Sequence, residues 1–169
     1  RRFWQDSSAQ VKTFTPISNL FLDTPDISTT TGLIVKLDTT DNGSYDKTLT
    51  INTDFIVTPT NPKTLGTGAG EHFPFTQIRI LNTRSSERFD PDIINNVQIT
   101  AKYGFAMVPE AIEQATRIQA LRLFKRKDTP FNVFGNAETG TTELFSKFDP
   151  DALNLLKDFK KMDLVGQVL

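Results

Sequence analysis

Apolar and polar positions alternate in short runs through the first hundred residues, then recur every three or four. From about Val11 to Tyr103, clusters of Thr, Val, Ile and Phe are cut by Pro, Gly, Asn and Asp, the pattern of short β-strands joined by turns. The expected strands are Val11–Thr15, Asn19–Leu22, Gly32–Asp38, Asp46–Ile51, Asp54–Thr58, Thr76–Leu81 and Val97–Tyr103. The clearest hairpin joins Leu33–Leu37 to Lys47–Ile51 through Thr40-Asp41-Asn42-Gly43-Ser44, where Asn42-Gly43 supplies the positive φ of a tight turn. Asn61 to Gly70 has too little apolar content to pack and reads as a mobile loop.

From Gly104 the period is helical. Pro109 suits a first turn, Glu110 and Glu113 sit near the positive helix end, and Lys125, Arg126 and Lys127 crowd the negative end. Pro130 stops a helix of about 19 residues, roughly 28 Å long. Val108, Ala111, Ile112, Ala115 and Ile118 form one apolar stripe; Ala120, Leu121 and Phe124 fall on another side. One face should cover the β region. The other meets a preceding helix, the helix that follows Asp149, or another subunit. That last helix opens at Asp149-Pro150-Asp151, an N-cap followed by Pro, and puts Ala152, Leu155, Leu156, Phe159 and Met162 on one face.

Two further segments stand out. Thr129 to Lys147 reads as a long loop whose Phe131 and Phe134 either anchor an interface or tuck into their own subunit. Its tip, Asn136–Thr141, is the mobile part. The tail Leu164-Val165-Gly166-Gln167-Val168-Leu169 is apolar, and Leu164, Val165, Val168 and Leu169 are expected to add to a partner.

Composition narrows the chemistry. A net charge of −1 sets up no global attraction to nucleic acid or membrane. No cysteine is present, which removes disulfides and thiol chemistry. His72 is the lone histidine, so a zinc site is not expected. Asp38, Asp41, Asn42 and Asp46 faintly resemble a calcium loop, but Leu49 stands where its closing Glu belongs, and a hairpin turn is the plainer reading. No nucleophile–base pattern is recognisable, so no enzyme is expected. Arg122, Lys125, Arg126 and Lys127 could face DNA or an acidic protein, or sit in the last helical turn because cations are favoured there. A nucleic-acid-binding module using residues 122–127 is the rival reading, and it predicts salt-dependent DNA binding. No run is long and apolar enough to span a membrane.

One stretch is similar to a known family. Tyr103-Gly104-Phe105, Val108-Pro109-Glu110-Ala111, Arg122-Leu123-Phe124-Lys125-Arg126-Lys127-Asp128, Pro130-Phe131 and Asp149-Pro150-Asp151 resemble the head-to-tail connector (head-tail adaptor) family of long-tailed bacteriophages. Phe148 stands where that family often has Leu. The resemblance implies an α+β fold: a β-rich sheet or small barrel region inserted in a helical connector core, with a long helix and a C-terminal helix. It implies residues 1–10 as the end of an N-terminal helical segment whose start lies upstream, since the chain opens Arg1-Arg2-Phe3-Trp4 without Met. Residues 11–103 then form the β region, 104–163 the helical core and 164–169 a tail. It implies a structural neck protein of the virion, assembled in the host bacterial cytoplasm as a dodecameric ring of identical subunits. The ring joins the portal protein to a stopper or tail-completion protein, and genomic DNA passes through its lumen. No cofactor, metal or catalytic residue is implied. The contact residues expected are Leu121, Phe124, Arg122, Lys125, Arg126, Phe131, Phe134 and the four tail residues.

Overall fold

The computed structural model describes residues 1–65, 72–125, 133–136, 141–144 and 148–160. They contain strands β1 (Gln10–Phe14), β2 (Phe21–Ile27), β3 (Ile34–Leu37), β4 (Lys47–Leu49), β5 (Phe55–Thr58), β6 (Phe75–Ile80) and β7 (Val97–Ala101). Helix α1 (Glu110–Lys125) follows, then β8 (Val133–Asn136), β9 (Thr141–Leu144), helix α2 (Pro150–Leu156) and a 3-10 turn, Lys157–Phe159.

The chain divides into two compact units, residues 2–107 and, apart from Arg1, residues 108–169. In the first, β1-β7-β3-β4 form one antiparallel sheet and β2-β6-β5 another. Alternation decides what each strand buries. On β7, Val97, Ile99 and Ala101 are buried while Gln98 and Thr100 are only partly covered. Val35, Leu37 and Leu49 join them from their own sheet, and Leu22, Phe55, Val57, Ile78 and Ile80 from the other, in one continuous core. Each such side chain contributes about 1.5–3 kcal/mol when fully buried. Two corners link the sheets, through the bridge from Ile27 to Tyr103 and the bridge from Ile51 to Phe55.

Residues 2–6 are an irregular strap, not a helix. The Asp6 amide and the Arg2 guanidinium both donate to the Tyr103 carbonyl at 2.9 Å, and the Tyr103 amide donates to Asp6 Oδ2 at 3.1 Å. Arg2 and Asp6 also form an ion pair at 2.7 Å. Phe3 packs on Phe105, ring centroids 5.1 Å apart, and Phe105 is fully buried.

In the second unit α1 and α2 pack together, and β8 pairs with β9. The expected helical connector core with a long helix is therefore wrong. Among the described residues the fold is β-rich: seven strands in two antiparallel sheets carry the main core, beside helices of 16 and 7 residues. The physical reason lies in burial. The helices and the 3-10 turn bury only Ile112, Ala115, Ala152 and Phe159, too little apolar surface to organise the chain. The stretch expected as one long loop, Thr129 to Lys147, contains the β8–β9 pair. Of the mobile segments expected, residues 66–70 and 137–140 lie outside the described residues.

Candidate interaction surface

α1 starts where Pro109 ends the preceding extended chain, and the Pro109 carbonyl accepts from the amides of Ile112 and Glu113. Glu113 and Arg117, one turn apart, pair at 3.2 Å. α2 is capped by Asp149, whose extended backbone (φ −68°, ψ 132°) turns its side chain back to accept from the Asp151 amide at 2.9 Å. The same carboxylate accepts from Arg122 Nη1 at 2.8 Å, and the Asp149 amide donates to Gln119 Oε1 at 3.2 Å. One aspartate thus caps its own helix and latches it to α1. The Asp151 amide holds the Asp149 carboxyl below its ordinary range, Arg122 adds to this, and desolvation partly opposes both.

Beside this latch lies an apolar groove of about 320 Å³. Ala115, Ala120 and Leu123 line it from α1, and Phe148, Leu153 and Leu156 from the other side. Leu123 and Phe148 are each 53% exposed and Leu153 is 44% exposed. A wall of three half-open large apolar side chains excludes water poorly and gains by being covered. Phe148 and Leu153 stand at the positions just before the cap and four into the helix, the spacing of a hydrophobic staple. That spacing is readable from the chain and marks two groove residues absent from the expected contact set.

The expected contact residues divide. Leu121 and Phe124 are 56% and 66% exposed and lie outside the groove lining. Arg122 is turned inward on Asp149, with 16% of its side chain exposed, so it does not serve the outward basic patch. Lys125 is exposed at the end of α1. Phe134 lies on β8. Arg126, Phe131, Leu164, Val165, Val168 and Leu169 lie outside the described residues, as does Lys127.

The polar residues with chemical potential in the β unit hold loops. Asp38 is 4% exposed and accepts from the amides of Gly43 at 2.7 Å, Thr40 at 3.1 Å and Asn42 at 3.4 Å. Asp46 accepts from both the Thr39 amide and hydroxyl, which keeps its carboxyl acidic. The acids of the expected hairpin thus bind its own backbone. His72 Nδ1 lies 2.7 Å from the Phe73 carbonyl, and its ring packs on Phe75. No protein-family model, no curated protein and no solved structure matches the chain.

Proposed function

We propose that this chain is a structural assembly subunit: a ring-forming neck protein that joins the portal of a long-tailed phage head to the next neck or tail component, with the genome passing through its lumen. One observation carries the reading. The segment that resembles the connector family folds into α1 and a capped α2 that leave an apolar groove and exposed Leu121, Leu123 and Phe124. Surface of this kind serves protein contact better than catalysis or nucleic-acid binding. The inward turn of Arg122 onto Asp149 supports the protein-contact reading over the nucleic-acid one, because it takes a cation out of the patch that DNA would need. The reading needs no helical core; it needs the two-helix unit and its uncovered apolar wall. In a ring, each neighbour contact is heterologous and closes by rotation.

The test is co-assembly with rings of the cognate portal protein. Wild-type protein should sediment with them. Replacing both Leu123→Glu and Leu153→Glu should weaken that association at least tenfold, since two charges would enter a desolvated wall. The far-UV spectrum should be unchanged, because both positions are open. Undiminished co-sedimentation of the double variant would sink the reading.

A further inference from the structure

Asn42 is the only asparagine of the chain that a glycine follows. Such a pair carries its own chemistry, and glycine is the partner that least obstructs it, having no Cβ. Hydroxide takes the proton of the glycine amide, and the bared nitrogen attacks the side-chain carbonyl carbon of the asparagine. A C–N bond forms. The side-chain nitrogen leaves as ammonia, taking a proton from water, and a cyclic succinimide remains. Water then opens the ring at either carbonyl, giving aspartate or isoaspartate. Nothing is oxidised or reduced.

The fold decides when these steps are open to Asn42. Both residues are exposed, and no atom lies within 4 Å of the place a Gly43 side chain would take, so access is not the barrier. The barrier is hydrogen bonding. The Gly43 amide donates to Asp38 Oδ2 at 2.7 Å, and Asp38 is almost wholly buried. Taking that proton would leave an amidate against a carboxylate, two like charges with little water between them. The Asn42 side-chain oxygen is held too, accepting from the Ser44 amide at 2.7 Å. Asp46 closes the base of the loop on the Thr39 amide and hydroxyl. Yet the turn hangs on the weakest part of its sheet: β4 is the edge strand and has only three residues. Short edge elements open locally at less cost than a core strand.

We propose that Asn42 is a self-modification site gated by its hairpin: the side chain stays an amide while Gly43 is held on Asp38, and cyclises onto the Gly43 nitrogen when the turn opens. The change runs one way. It adds a carboxylate beside Asp38, Asp41 and Asp46, and like charges oppose closure. The isoaspartyl form also lengthens the backbone ahead of Gly43, which draws that amide off Asp38 and leaves a buried carboxylate without its shortest hydrogen bond. The proposal stands on the β unit alone and does not depend on the neck reading.

Ageing the whole protein at mildly alkaline pH, followed by tryptic mapping, tests it. Cleavage after Lys36 and Lys47 releases residues 37–47, whose amide, aspartate and isoaspartate forms separate by chromatography. Folded protein should convert at least tenfold more slowly than the same chain in urea. Asp38→Asn removes the charge that guards the Gly43 proton. It should speed conversion of the folded protein roughly threefold or more and leave the rate in urea unchanged. Converted protein, separated by its extra negative charge, should unfold at a lower urea concentration than fresh protein. Three outcomes overturn the proposal: equal rates in the folded and urea-unfolded chain, a folded Asp38→Asn protein that converts no faster than wild type, or an unchanged urea midpoint after conversion.

Discussion

Gly104 shows why a short motif has the residues it has. Its φ is +101°, and its amide donates to the Asp26 carbonyl at 2.8 Å. A Cβ there would overlap the Trp4 carbonyl oxygen, which is backbone and cannot swing aside. Tyr103 and Phe105 on either side are buried, and burial pushes the Tyr103 hydroxyl well above its ordinary value. The triplet is thus a structural corner that ties the strap to the sheets. Gly43 differs: its φ is +78°, but nothing lies near its missing side chain. Gly104→Ala is expected to cost about 1–3 kcal/mol from backbone conformation alone, with the overlap adding to it, whereas Gly43→Ala is expected to cost only the conformational part. Urea midpoints of the two variants decide this; equal losses would mean that the strap does not press on Gly104. The need for glycine at the Asn42-Gly43 turn was legible from the chain. The need at Gly104 was not, because its cause sits a hundred residues away.

At the scale of elements, the strap is held by charge. Arg2 is the main cause that keeps the Asp6 carboxyl below its ordinary 3.8; the Tyr103 amide adds to it and desolvation opposes both. A carboxyl with a lowered folded pKa stabilises fully above its unfolded value and loses that contribution as pH falls below it. The strap should therefore loosen as pH drops below about 3.8. Trp4 is the chain's single tryptophan, with Arg2 5.7 Å from its ring centre, so its emission reports the change. Asp6→Asn should give the loosened spectrum already at neutral pH and abolish the acid step. An identical acid transition in that variant would assign it to another group. The strands themselves were readable: each of the seven expected runs overlaps an observed strand, because period-two alternation is a local signal. Where they differ, tertiary context is the reason. β2 runs on through Pro25 to Ile27, beyond the expected end at Leu22, because an edge strand tolerates a residue without an N–H. The β8–β9 pair was read as loop because its strands are only four residues each around Gly135, Asn136 and Gly140.

For the whole molecule, the division into residues 2–107 and 108–169 predicts separable folding. The first unit has its own continuous core and its own strap. A chain ending at Met107 should keep a β-type far-UV spectrum and unfold in one cooperative urea transition. A featureless spectrum would show that the β unit depends on the rest. By itself, the sequence determined where the strands alternate, where the Asn42-Gly43 turn falls and where α1 and α2 begin, since propensity, capping and periodicity act over a few neighbouring residues; that Leu121 and Phe124 stay exposed was not among them, because the apolar stripe shows a face but not what covers it. Only the tertiary structure decided that the sheets rather than the helices organise the fold, that Arg122 turns inward to Asp149, that Phe148 and Leu153 border a groove and that β1 stands at the edge of its sheet. Those outcomes depend on which distant segments meet, and pairwise contact across long separations leaves no periodic trace in a single chain.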